Sequence, residues 1–177
     1  MRRGIKPFRP THLQDNSMLT EGIKAPAFSA LDQHGNKVSL ADFKGKKLVV
    51  FFYPEDDTPT CTEQACNLRD NYALLRKNGF EVVGVSPDDV EKHAKYQAKY
   101  NLPFTLLADP KHKVIEKYGV WGEKNMYGKK YMGLLRTTFV IDEKGIIVKI
   151  FKKPKVRQHA EEIVAKYNEI SKVKSKN

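Results

Sequence analysis

The sequence predicts an α/β fold in which one central mixed sheet is flanked by helices and preceded by an N-terminal β-hairpin. Strand-like apolar runs alternate with amphipathic helical patterns, which is typical of parallel strands joined by helical crossovers. A late pair of apolar segments around Glu143-Lys144-Gly145 predicts an antiparallel hairpin. The chain has 177 residues, of which 40% are hydrophobic, so one domain can enclose a core.

The elements can be assigned in order along the chain. We expect first a hairpin over 27–40, a strand over 47–53, a helix from Cys61 to Asn78-Gly79 and a strand over 80–85. Next come a helix capped by Ser86 with Pro87 in its first turn, a strand over 102–107 and a helix capped by Asp109 and ending near Tyr118. A loop over 119–134, a hairpin over 137–151 and a helix over 157–171 complete the chain. The strand over 47–53 is almost entirely apolar after its first residue, which predicts burial on both faces.

Composition predicts one domain over 18–172, a flexible extension over 1–17 and a basic tail over 173–177. The net charge is +11, but the lysines are spread along the chain, and we expect no specific nucleic-acid binding. No run reaches the roughly 18–20 apolar residues of a membrane span. The first 17 residues lack the apolar stretch of a secretory signal, so we expect a cytoplasmic protein; a transit peptide is the less favoured alternative.

Two cysteines, Cys61 and Cys66, are the chemically informative residues. A disulfide between them would close a very short loop and stabilise little, so a redox role explains the pair better than a structural one. Cys61 begins a helix, where the helix dipole favours the reactive thiolate. The acidic run 55–57 opposes that effect if it faces the sulfur. The five histidines show no metal-ligand spacing, and we expect neither metal nor organic cofactor.

The spacing Pro54-x-x-x-Thr58-x-x-Cys61 gives this cysteine a specific context. Thr58 can place a hydroxyl near the thiolate, and Pro54 can shield it from water. Taken alone, Cys61 fits a buried core residue, Thr58 a turn residue and Arg136 an exposed surface residue. The motif favours catalysis over these interpretations.

This spacing matches the active-site signature of the peroxiredoxins. The segments 52–54, 61–70, 102–109 and 136–142 resemble the Q-type subfamily, also called bacterioferritin comigratory protein, and the resemblance spans about residues 20 to 170. It implies a thioredoxin-like fold and reduction of hydrogen peroxide and organic hydroperoxides. It also implies that Cys61 is the peroxidatic cysteine, Cys66 the resolving cysteine, Arg136 the guanidinium beside the thiolate, Thr58 the peroxide-positioning hydroxyl and Pro54 the shield.

Helix geometry adds a requirement for movement. Residues five apart on an α-helix have Cα atoms about 8.6 Å apart and point about 140° away from each other. A disulfide needs Cα atoms within about 7 Å. Cys61 and Cys66 can therefore pair only after the start of the helix unwinds. We expect thiolate attack, sulfenic acid, local unfolding, an intramolecular disulfide and reduction by thioredoxin or a similar dithiol.

Two other functions stay open. A general thiol–disulfide oxidoreductase on the same fold normally has Cys-x-x-Cys, whereas four residues separate the cysteines here. A non-catalytic basic binding module or holdase would retain its function after Cys61→Ser. We expect a monomer, with a dimer as the alternative.

Overall fold

A computed structural model describes residues 19–176. The strands are β1 Ser29–Leu31, β2 Lys37–Ser39, β3 Lys47–Phe52, β4 Phe80–Ser86, β5 Thr105–Ala108, β6 Trp121–Met126, β7 Lys129–Leu134, β8 Thr137–Ile141 and β9 Ile147–Phe151. The helices are α1 Pro59–Asp70, α2 Tyr72–Lys77, α3 Val90–Tyr100, α4 Lys113–Lys117 and α5 His159–Ser175, with a 3₁₀ turn over Leu40–Phe43. The extension predicted over 1–17 lies outside the described residues.

The central sheet is mixed, as predicted, with strand order β2-β1-β5-β4-β3-β8-β9. β3 runs parallel to β4 and β4 parallel to β5, whereas β8 is antiparallel to both β3 and β9. Phe52 at the end of β3 pairs with Thr137 at the start of β8. Residues that follow β3 and residues that precede β8 therefore meet at the same end of these two central strands.

The core consists of two buried clusters on opposite faces of the sheet. Alternate residues of β3 divide between them: Val49 and Phe51 pack in the cluster with α1 and α5, while Leu48, Val50 and Phe52 pack in the other. This division is the consequence of the two-residue period of a strand that is buried on both faces. Within the described residues, no helix is long and apolar enough to cross a membrane.

The helix that starts near Cys61 is broken, and the prediction of one continuous helix to Asn78 was wrong. Asn71 separates α1 from α2, with φ −108° and ψ 14°. Its side-chain amide donates to the Asn67 carbonyl at 2.9 Å. Asparagine competes for backbone groups in this way, which disfavours it inside helices. The sequence pattern continued across Asn71 because Leu75 in α2 is buried on the same side as Leu68.

The predicted cap of the next helix was also wrong. Ser86 is the last residue of β4, and α3 begins four residues later with Asp89 as its N-cap, whose carboxylate accepts from the Lys92 N–H at 2.8 Å. The Ser86 hydroxyl instead donates to Asp88 at 2.9 Å.

The segment predicted as a loop over 119–134 is largely the β6–β7 hairpin. Tyr127 and Gly128 form its turn, with φ of 51° and 78°. Positive φ at both central positions fits a tight hairpin turn, and tyrosine rarely signals this geometry in a sequence.

At the other two helices the prediction was close. Asp109 does accept from the N–H groups of Lys113 and Ile115, but the N-cap of α4 is His112, so the helix starts three residues later than predicted and ends at Lys117. The last helix starts at His159 and continues to Ser175, beyond the predicted end at Ser171.

Candidate active site

Cys61 lies in the first turn of α1, at the edge of the sheet where β3 ends and β8 begins. Thr58 is the N-cap residue and Pro59 the first helical residue, a position where a missing N–H removes no hydrogen bond. The side chain of Cys61 turns inward, and only 2% of the residue is exposed. A thiolate here benefits from the positive end of the helix dipole.

Arg136 supplies a positive charge directly at the sulfur. It lies immediately before β8, and its Nη2 donates to the Cys61 Sγ at 3.1 Å. Because the guanidinium is always charged, this contact places a fixed positive charge against the sulfur. The structure thus brings together two residues that are 75 positions apart and that the sequence analysis had paired.

Gln64 holds the guanidinium in place and was missed by the sequence analysis. Its Oε1 accepts from the Arg136 Nη1 at 2.6 Å, so one arm of Arg136 is anchored while the other contacts the sulfur. Gln64 is fully buried, and its Nε2 lacks a hydrogen-bond partner within the described part of the chain. The available signal was its position three residues after Cys61, which places it on the same helix face.

Thr58 and Pro54 lie on the loop that delivers Cys61. The Thr58 hydroxyl donates to the Glu55 carbonyl at 3.0 Å and does not cap α1. The N–H groups at the start of α1 therefore receive no side-chain oxygen from Thr58. Pro54 is half-buried directly after β3 and Tyr53. The geometry places both residues at the edge of the sheet that holds Cys61, while the hydrogen bond to the sulfur comes from Arg136.

Each of the three acidic side chains over 55–57 has a hydrogen-bond partner, and that of Asp56 is buried. Its two carboxylate oxygens contact the Tyr53 hydroxyl and the His93 Nδ1, both at 2.6 Å. The His93 Nε2 lies 3.0 Å from the Leu107 carbonyl oxygen, which can only accept. Desolvation by burial, followed by the charge of Asp56, raises the pKa of Tyr53, so the phenol stays a donor.

Glu55 and Asp57 are neutralised at the surface. Lys92 Nζ lies 3.0 Å from Glu55 and 2.8 Å from Asp88. Asp57 accepts from the Lys99 ammonium and the Tyr100 hydroxyl, both at 2.7 Å, and these bonds lower the pKa of Asp57. The acidic run therefore contributes much less negative potential at Cys61 than its sequence suggested.

Cys66 lies in the same helix but faces a different environment. It is half-buried and lines a surface hollow of ≈ 340 Å³ together with Thr58, Thr62 and Tyr100. Burial raises the pKa of the Cys66 thiol, and the nearby charge of Arg69 only partly offsets this. Both cysteines are free thiols on one continuous helix, an arrangement incompatible with a disulfide between them.

Comparisons with known proteins agree with this geometry. Residues 22–150 match the model of the AhpC/TSA family. Peroxiredoxin Bcp of Escherichia coli is 48% identical over 141 residues, which cover 80% of this chain and 90% of that protein. Peroxiredoxin Bcp of Bacillus subtilis is 44% identical over 150 residues, which cover 85% and 96%.

A solved structure extends the comparison to the fold. The bacterioferritin comigratory protein of Xanthomonas campestris, studied for its alkyl peroxide reduction activity, aligns with a TM-score of 0.73 at 33% identity and covers 78% of this chain and 88% of its own. The family match spans more than half of the chain, and the relatives are matched over most of their length. The chain therefore belongs to the AhpC/TSA family and, within it, to the Q-type peroxiredoxins, also called bacterioferritin comigratory proteins.

Proposed function

We propose that this protein is a thiol-dependent peroxidase that reduces hydrogen peroxide and organic hydroperoxides, with Cys61 as the peroxidatic cysteine. The observation that carries the proposal is the 3.1 Å contact between the Arg136 guanidinium and the buried Cys61 sulfur at the start of α1. Family membership supports peroxide reduction, and the alkyl peroxide reduction activity of the Xanthomonas campestris relative supports organic substrates.

In the first step the Cys61 thiolate attacks one peroxide oxygen. The O–O bond breaks, the sulfur becomes a sulfenic acid, and the other oxygen leaves as water or an alcohol after taking up a proton. Negative charge develops on the leaving oxygen. Arg136 and the uncapped N–H groups at the start of α1 can stabilise it, and the Thr58 hydroxyl can turn from the Glu55 carbonyl to hold the peroxide. Pro54 limits the access of water.

In the second step the first turn of α1 unwinds and Cys66 reaches the sulfenic acid. The Cys66 sulfur bonds to the Cys61 sulfur, water leaves, and an intramolecular disulfide forms. A thioredoxin-like dithiol then reduces the disulfide through a mixed disulfide, which returns both thiols. Thioredoxin itself as the reductant is part of the proposal. We also propose a monomeric, cytoplasmic protein with its catalytic domain over 18–172.

The test is peroxide-dependent NADPH oxidation coupled through thioredoxin reductase and thioredoxin. Wild-type protein should turn over, Cys61→Ser should not react with peroxide, and Cys66→Ser should react once and then stop. Full multiple turnover by Cys66→Ser with thioredoxin would refute the resolving role of Cys66. If Cys61 reacted with hydrogen peroxide no faster than free cysteine does, the peroxidase proposal would fail.

The same proteins address the alternative function. A general thiol–disulfide oxidoreductase would reduce insulin in the presence of a dithiol without consuming peroxide. We expect weak insulin reduction, because the two cysteines are held apart on α1 whenever the helix is intact.

A further inference from the structure

A second concave site lies at the opposite end of the β3–β8 pair from Cys61. It is a groove of ≈ 520 Å³. Its apolar floor is formed by Ala25, Ala27, Leu40, Phe43, Leu48 and Ile141. Leu48 pairs with Ile141 at this end of the ladder, and Phe52 pairs with Thr137 at the other, about 13 Å further along the strands. The groove is therefore separate from the catalytic centre.

The walls of the groove are held by main-chain hydrogen bonds. The Ala25 N–H donates to the Gly145 carbonyl at 2.9 Å, and the Gly45 N–H donates to the Glu143 carbonyl at 3.2 Å. Three segments that are distant in sequence thus meet around one hollow. A ligand that enters a preformed hollow orders little additional backbone, and the volume is within the roughly 300–1,000 Å³ typical of small-molecule sites.

The rim is positively charged. Lys24, Lys44, Lys46 and Lys144 line the groove, and each is exposed. Within residues 19–176, none of these four side chains forms an ion pair, whereas Lys92, Lys99 and Arg157 elsewhere on the surface each do. Asp142 and Glu143 also line the groove, which leaves four lysines against two carboxylates.

One of the two carboxylates is already engaged. Asp142 Oδ1 accepts from the main-chain N–H groups of Lys144 and Ile146, both at 2.9 Å, within the turn that joins β8 to β9. The lysine side chains are long and flexible, so their ammonium groups can converge on one anion above the floor.

We propose that this groove binds a free medium- to long-chain fatty acid, with the alkyl chain on the apolar floor and the carboxylate among the rim lysines. An apolar floor selects an alkyl chain, and a cationic rim selects an anionic head group. A hydrophilic polyanion would leave the floor uncovered. The segment before residue 19 is a poor occupant, because its sequence carries Arg2, Arg3, Lys6 and Arg9 against one acid, Asp15.

The test is isothermal titration calorimetry with decanoate, dodecanoate and tetradecanoate, each below its critical micelle concentration. The full-length Cys61→Ser protein is used, so binding is read independently of peroxidase chemistry. We expect one site per chain and affinity that rises about fourfold for each added methylene. Dodecanol should bind more weakly than dodecanoate.

Variants locate the site. Ala27→Trp, which fills the groove, should abolish dodecanoate binding. The double change Lys44→Glu with Lys144→Glu should weaken binding about tenfold or more. The matched control, Lys117→Glu with Lys129→Glu, changes the net charge equally at exposed lysines outside the groove and should leave binding unchanged. In the Cys61-containing background, none of these changes should alter the peroxidase rate.

Several outcomes would overturn the proposal. Equal weakening by both charge-reversal pairs would mean non-specific attraction to a basic protein. Undiminished binding by Ala27→Trp would place the ligand elsewhere. Binding to anionic vesicles without binding to monomeric dodecanoate would replace the fatty-acid site by a membrane-contact surface. Binding that appeared only after removal of residues 1–18 would assign the groove to the chain's own N-terminal segment.

Discussion

Asn67, the residue directly after Cys66, binds the start of α5 through Ala160. Its Oδ1 accepts from the Ala160 N–H at 2.8 Å, and its Nδ2 donates to the Arg157 carbonyl at 2.9 Å. The side chain therefore caps α5 from a neighbouring helix. These bonds fix α1 immediately beyond Cys66, so unwinding of the helix start can stop at this point.

Replacing Asn67 by alanine should loosen this junction. We expect a loss of about 1–2 kcal/mol in the free energy of unfolding, because a helix cap and a partly buried hydrogen bond disappear. Hydrogen exchange of the reduced protein should accelerate over 68–70, since opening of α1 is no longer stopped beside Cys66.

Asn78→Ala is the matched control for this change. The Asn78 side chain also bonds a backbone carbonyl, that of Leu74 at 2.8 Å, but within its own helix region and without joining α1 to α5. It should leave exchange over 68–70 unchanged. If hydrogen exchange over 68–70 in Asn67→Ala were as slow as in the wild type, α1 would be anchored by other contacts.

Gln64 provides a second prediction, on the reaction with peroxide. In Gln64→Leu the Arg136 Nη1 loses its acceptor, and the guanidinium can leave the sulfur. A hydrogen bond to a charged group contributes about 1.5–3 kcal/mol, so we expect the second-order rate with hydrogen peroxide to fall roughly 10- to 100-fold in stopped-flow measurements.

Stability distinguishes this positioning role from a structural one. The Gln64 Nε2 has no partner among the described residues, so leucine removes one unpaired buried group and offsets part of the stability lost with the bond to Arg136. Gln64→Glu keeps an acceptor for Arg136 and should keep its placement, which a crystal structure can show. A wild-type rate in Gln64→Leu would show that Arg136 needs no anchor.

How far the sequence predicts this protein depends on the range of the interactions. The buried strand β3 and the hairpin over 137–151 are local patterns, and both were predicted correctly. The hydrogen bond between Asp56 and His93 joins residues 37 positions apart and depends on how α3 docks beside β3. No local pattern indicates such a pair, so the partners of the acidic run could not be predicted from the sequence.

Asp88 accepts a hydrogen bond from the Asp56 N–H, and its ionisation makes the stability of the fold depend on pH in the acid range. Burial by itself raises the pKa of Asp88, but bonds from Lys92, the Asp56 N–H and the Ser86 hydroxyl outweigh it and hold the pKa below its ordinary 3.8. The charged form thus stabilises the fold. This contribution is complete above pH 3.8 and is lost as the pH falls through the lower folded-state pKa.

The prediction compares Asp88→Asn with wild type in urea unfolding at several pH values. At pH 7 the variant should be less stable by about 1–3 kcal/mol, because charge-assisted hydrogen bonds become neutral ones. The difference should shrink below pH 3.8. Asp89→Asn keeps an N-cap acceptor for Lys92 N–H and should show a smaller effect at pH 7. A pH-independent difference for Asp88→Asn would point to altered packing instead of charge.

Cys66 gives the last prediction, which connects helix unwinding with reactivity. In the folded protein its thiol has a pKa above the ordinary 9.0, chiefly because of burial. Near pH 8 the folded state therefore holds fewer Cys66 thiolates than an unfolded chain would, and unwinding of α1 should lower the pKa towards 9.0. Local opening would expose the Cys66 thiol and raise its thiolate fraction in the same movement. In Cys61→Ser, alkylation of Cys66 by iodoacetamide should have its midpoint above pH 9.0 under native conditions and near 9.0 in urea. The same midpoint in both conditions would show that folding does not suppress the thiolate, and resolution would then be limited by distance alone.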